Sequence, residues 1–200
     1  MMRFLLFIII LCFTNCQSKT EKLPILSYKI NAEGKKETFT ISYSGFTNQD
    51  DKNVSTETIK DKIVIANFFF TRCPSICPPM RMQLIDVAEE FLNEPSVLLI
   101  SHSIDPKNDT TKVLKNYAKA TEIPTSKWWF VRSNEENTKA LATQFMTHFR
   151  PNEAGTDFYH SSYVALLDTD QKIRGFYNVL IPEEVERLIN DVKLLIQMLS

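Results

Sequence analysis

The chain has 200 residues, 44% of them hydrophobic and 24% charged, with 23 basic against 24 acidic side chains for a net charge of −1. That is material for one domain with a sizeable core, and it carries no long basic run that would mark a nucleic-acid partner. Glycine is scarce at four residues, no repeat is visible, and neither GxxxxGK nor GxGxxG occurs, which argues against nucleotide chemistry.

Met1-Met2-Arg3 is a short positive start, and residues 4–11 (FLLFIIIL) form an uninterrupted apolar run. Spanning a bilayer takes roughly 20 apolar residues, so the run reads as the core of a signal peptide. The following FTNC resembles a bacterial lipoprotein signal, in which the cysteine, here Cys16, becomes the first residue and is acylated. An ordinary secretory signal with an incidental cysteine is the plainer alternative. The expected organisation is a signal peptide over 1–16, a polar tether over 17–27 and one folded domain over 28–200. Such a chain sits in the cell envelope, lipid-anchored to a membrane, with its domain facing the periplasm. Setting aside Cys12 and Cys16 leaves only Cys73 and Cys77. Two cysteines so close together are no disulfide framework, and their chemistry has to be local.

In chain order, residues 28–30 and 38–43 alternate like short strands. The apolar run 63–70 (IVIANFFF) suits a buried central strand. A helix is expected to begin beside Cys77, since proline is tolerated in a first turn, and to carry Met82, Ile85, Ala88, Glu89 and Leu92 on one period. Residues 97–104 (VLLISHSI) read as a second buried strand, and 110–121 as a helix with Asp109 at its N-cap. Strand 127–131, helix 134–149, strands 162–167 and 172–177, and an amphipathic helix over 182–199 complete the chain. The order predicts an α/β fold of thioredoxin-like type, with a central mixed sheet flanked by helices and extra N-terminal strands. Ligand and redox sites of such sheets gather at the C-terminal ends of the parallel strands, where Cys73 and Cys77 fall.

The pair occurs in FFFTRCPSICPPM, with a proline after each cysteine. As a disulfide it would close a minimal loop and stabilise little, so a bond there is suited to being made and broken. A helix N-terminus favours thiolate, the form required for thiol exchange and for metal binding alike. Two functional readings stand: a thioredoxin-type redox pair with one residue more than CxxC, or two ligands for a soft ion such as Cu(I). Structural zinc ordinarily takes four ligands, and no two further cysteines are at hand. A third copper ligand would be a histidine. His160, in DFYHSSYVALLD, precedes the fourth strand, and in a thioredoxin-like fold that loop lies against the cysteine loop. His102 lies near the end of the second buried strand and is left as a core group or a neighbour of the site. His148 ends the third helix and reads as a surface residue.

TRCPSICP resembles the TxCPxxCP signature of the Sco/SenC proteins, which assist copper-site assembly in cytochrome c oxidase. SIDPKNDT, residues 103–110, is similar to that family's SVDPxxDT segment, and YHSSYVALLD holds its downstream histidine. The likeness runs from about Phe46 to the C-terminus. It implies a thioredoxin-like fold and copper, as Cu(I) and also as Cu(II) with an added ligand, held by Cys73, Cys77 and His160. It implies as partner the oxidase subunit that carries the dinuclear CuA centre, and upstream a donor of copper or a thiol reductant. The alternative within the same resemblance is a thiol–disulfide oxidoreductase that uses Cys73 and Cys77 to reduce the oxidase's own cysteines. Asp105 is expected either to orient groups near the site or to serve only as a turn or capping residue. A peroxide-reducing enzyme of the same fold is a third, more distant reading.

Overall fold

A computed structural model describes residues 22–153 and 158–199. The expected signal peptide, its cleavage at Cys16 and tether residues 17–21 therefore lie outside the described residues, whereas Pro24, Leu26 and Ser27, expected as tether, are hydrogen-bonded to residues 173 and 174 of the domain.

Strands β1 (Tyr28–Ile30) and β2 (Lys36–Thr38) pair as a small antiparallel ribbon of their own. The remaining core is a seven-stranded mixed sheet. Its centre is three parallel strands, β5 (Ile63–Phe69), β6 (Val97–Ser103) and β7 (Trp128–Arg132). On one side β10 (Tyr163–Leu167) and β11 (Ile173–Asn178) add as an antiparallel hairpin; on the other, β3 (Phe46–Asn48) and β4 (Asn53–Val54) close the edge. Every residue of β5 and β6 is buried. Their unbroken apolar runs follow from having covered sheet on both faces.

Among the described residues four α-helices supply the cover: α1 (Cys77–Glu90), α2 (Thr111–Lys119), α3 (Glu135–Gln144) and α4 (Pro182–Gln197). Successive side chains of a strand point to opposite faces. Phe69 accordingly meets Tyr117 of α2 at 5.2 Å between ring centroids, while Phe68 meets Phe145, just past α3, at 5.7 Å. A two-residue pair, β8 (Arg150–Pro151) with β9 (Phe158–Tyr159), stands apart from the main sheet. The architecture is the thioredoxin-like one, with extra strands at the N-terminal side.

Four local expectations need correcting. The face of α1 that enters the core is Cys77, Met80, Leu84, Val87 and Ala88, whereas Met82 is 56% and Leu92 44% exposed. The helix has apolar residues around most of its girth, and its phase is set by Cys77 being held inward. Residues 39–43 form no ladder: Ile41 and Tyr43 alternate inward as a strand would, but Ile41 is held by its amide to the Gln171 carbonyl and Tyr43 by two bonds to Thr56, its amide to the hydroxyl and its carbonyl to the amide. Helix α3 stops at Gln144, where Met146 takes a left-handed φ of 54°. The N-cap of α2 is Thr110, whose hydroxyl accepts from the Val113 amide; Asp109 is buried and engaged elsewhere.

Candidate metal centre

The aromatic run at the end of β5 delivers the chain to the site. Beyond it, the Cys73 amide turns back to the Phe70 carbonyl, and α1 begins at Cys77. Helix starts leave backbone N–H groups without helical partners. Here Pro78 and Pro79 remove two of them, and the amides of Cys77 and Ser75 point at the Cys73 sulfur. Burial pushes the Cys73 thiol up, but those two amides, with the Cys77 and Ser75 side chains, outweigh it and hold the thiol below its ordinary range. Both cysteines are buried, and no disulfide joins them.

His160 follows β9 and reaches the pair from the other side of the mouth. Its Nε2 lies 3.4 Å from Cys77 Sγ and 3.9 Å from Cys73 Sγ. Its Nδ1 faces the Ser161 carbonyl at 3.2 Å. A carbonyl can only accept, so this contact places a proton on Nδ1; in the neutral ring Nε2 is then the lone-pair nitrogen, and it is the one that faces the two sulfurs. Fixing the tautomer in this way is how metal-binding histidines are ordinarily prepared. Phe70 packs edge-on against the ring at 5.7 Å and Phe158 against Phe70 at 5.2 Å, so aromatic contacts seat the short β8–β9 pair on the core.

The three donor atoms lie within 4.8 Å of one another, and among the described residues this is the one Cys, His or carboxylate cluster so arranged. An ion with sulfur at about 2.3 Å and imidazole nitrogen at about 2.0 Å spaces three trigonal donors roughly 3.5–4 Å apart. Of the distances from Nε2, 3.9 Å falls within that spacing and 3.4 Å just below it. Two soft sulfurs and one imidazole suit copper better than a hard cation, which prefers oxygen.

The cysteine loop is braced by the segment after β6. Asp109 accepts from the Thr71 amide and hydroxyl and from the Ser103 hydroxyl. Asp105 pairs with Arg72 at 2.8 Å and accepts from the Asn108 side-chain amide through both oxygens. Asp105 thus touches the residue before Cys73 rather than a donor atom, and the same carboxylate organises its own turn. The roles of Thr71, Arg72 and Asp109 were not read from the sequence. The signal available was that TRC and DPKND each hold polar residues at the ends of neighbouring parallel strands.

The other histidines separate cleanly. His102 is fully buried in an aromatic cage, stacked on Phe68 at 4.8 Å and Tyr43 at 5.5 Å. Its Nδ1 donates to the Asn67 carbonyl, and its Nε2 accepts from the Tyr43 hydroxyl. With both nitrogens used, it is a core group, and burial pushes its pKa down to about 4. His148 is exposed and lies beyond the end of α3.

The sequence profile described as SCO1/SenC matches residues 31–197. The chain belongs to the SCO1/SenC family. A SCO1 protein homolog of Bacillus subtilis strain 168 is 34% identical over 151 residues, 74% of this chain and 78% of that protein. Among solved structures, a SCO1/SenC family lipoprotein from Bacillus anthracis str. Ames superposes with a TM-score of 0.72 at 26% identity, covering 86% of this chain and 96% of the other. BsSco, described as a Sco-family cytochrome c oxidase assembly protein with a disulfide switch, superposes with a TM-score of 0.70 at 29% identity, over 87% and 96%. Among the described residues, no helix of this SCO1/SenC chain is long and apolar enough to cross a membrane.

Proposed function

We propose that this chain is a copper-binding assembly factor for cytochrome c oxidase, with copper as its cargo and Cys73, Cys77 and His160 as the ligands. The observation that carries the reading is the convergence of two buried sulfurs and one imidazole nitrogen within 4.8 Å. Membership of the SCO1/SenC family supports it. Two thiolates and a neutral imidazole form a trigonal set for Cu(I), and an added ligand would accommodate Cu(II). The receiving partner is the exported oxidase domain that carries the CuA centre, and ligand exchange moves the metal. Acylated Cys16 and the tether that follows hold the domain at the membrane, facing the periplasm, in keeping with the lipoprotein description of the Bacillus anthracis relative. The test is an anaerobic Cu(I) titration of the purified full chain against His160→Ala. Wild type retains copper under a competing chelator and the variant releases it; equal retention sinks the assignment of His160.

One observation favours a second reading. The Cys73 thiol is held below its ordinary range next to a second thiol, which is the arrangement a thiol–disulfide reductant needs. On that reading His160→Ala still reduces a disulfide substrate, while Cys73→Ser or Cys77→Ser does not.

A further inference from the structure

His160 does not end on open surface. Two adjoining depressions of about 320 and 310 Å³ lie beside it, and His148, Phe149 and His160 line both. The first also takes in Met146, with Phe68, Phe145 and Phe176 among its apolar walls. Cys73 and Cys77 are only 7% and 4% exposed, so the half-buried His160 is the most accessible of the three ligands.

Met146 is an odd residue for its place. The Met146 amide bonds to the Thr143 carbonyl and the Thr147 amide to the Ala142 carbonyl, both at 3.0 Å. That pair of bonds is the Schellman ending of a helix, and Met146 occupies its left-handed position at φ 54°. Glycine is the usual occupant, because a Cβ there costs on the order of 1 kcal/mol. Burial does not compensate, since the side chain is 47% exposed. The left-handed ending thus leaves a soft thioether, and two residues later an exposed imidazole, lining the depressions beside His160.

The geometry points to a copper-loading site formed by Met146 Sδ and His148, sharing His160 with the buried thiol pair. This rests on the copper reading above. Cu(I) lands on the thioether and the His148 imidazole, donors suited to it but weaker than thiolate. It then takes His160 Nε2 and exchanges its first ligands for Cys77 and Cys73. At each exchange one donor bond to Cu(I) forms as another breaks, the departing donor keeps its electron pair, any thiol proton passes to buffer, and copper stays Cu(I).

The test mixes the reduced full chain anaerobically with the Cu(I)–bicinchoninate complex and follows loss of the chelate colour. Met146→Leu/His148→Gln should load more slowly by roughly tenfold or more, the kinetic weight of about 1.4 kcal/mol at the barrier. Its final copper stoichiometry should match wild type. Equal loading rates overturn the loading site and leave the three-ligand centre standing. A wild-type chain that takes no copper overturns the centre, and the loading site with it. In a Cys73→Ser/Cys77→Ser background, weak Cu(I) binding should persist and vanish when Met146→Leu/His148→Gln is added; binding indifferent to those changes also overturns the proposal. Met146→Gly serves as the folding control, because it should load slowly while melting at or above the wild-type temperature.

Discussion

Asp109 holds Thr71 by two groups at once, the hydroxyl at 2.5 Å and the amide at 3.2 Å, across 38 positions of sequence. Its second oxygen also takes the Ser103 hydroxyl at 2.6 Å. The carboxylate therefore ties the ends of β5 and β6 together directly beneath the cysteine loop. Asp109→Ala would leave the Thr71 and Ser103 donors without an acceptor in a buried place, at a cost of roughly 2–4 kcal/mol. A lowered urea midpoint and faster loss of bound copper are expected. Asp109→Asn, which keeps one acceptor oxygen, should lose less. An unchanged midpoint in Asp109→Ala would contradict the bracing role.

His102 makes a prediction about acid. Its pKa is lowered from 6.5 to about 4 by burial, so between those values the unfolded chain binds a proton that the folded chain does not. Stability is full above about pH 6.5 and declines as the pH falls toward 4, by roughly 3 kcal/mol in total from this one group. His102→Phe should be less stable at neutral pH, because the Asn67 carbonyl and the Tyr43 hydroxyl lose their partner. Its stability should nevertheless vary less with pH across that window. Parallel stability–pH curves for the two proteins would show that His102 is not the titrating group.

The phase of α1 can be read by two substitutions. Leu84 is 2% exposed, and Leu84→Ala should cost about 2–5 kcal/mol. Met82→Ala, on the solvent side, should stay within about 0.5 kcal/mol. Thermal melts in the reverse order would restore the face expected from periodicity.

Gly175 lies under the ring of Tyr177, and a Cβ there would sit 2.2 Å from the Tyr177 hydroxyl. That hydroxyl donates to Asp191 Oδ2 at 2.6 Å, so the ring cannot shift without loosening β11 from α4. Gly175→Ala should therefore destabilise by roughly 1–3 kcal/mol through overpacking. A melting temperature equal to wild type would mean that the ring has room to give.

Much of this was legible in the residues. The runs in β5 and β6 can only be covered strands, and the prolines after Cys77 mark a helix start. His160 was reachable because topology brings the segment before β10 alongside the end of β5. The misses share a cause: each depended on a contact that periodicity does not carry. Nothing in residues 134–149 announces the end of α3, because methionine stands where glycine would have signalled it. Asp109 looks like any N-cap until Thr71 is seen above it. The apolar girth of α1 offered several faces, and only the inward hold on Cys77 chose among them. The β8–β9 pair, two residues a side, is below what alternation can register.

That small pair is also where the proposed ligand set divides. Cys73 and Cys77 sit on the loop and helix that continue β5, while His160 follows a ribbon, outside the main sheet, in which Arg150 pairs with Tyr159 and Pro151 with Phe158. A two-stranded ribbon has little stability of its own. A metal bridging Cys77 to His160, 83 positions apart, would act as a removable clasp, fastening ribbon to core as a cross-link does. Loading and closure would then be one event, and a partner that pries the ribbon away would loosen the cargo without touching either sulfur.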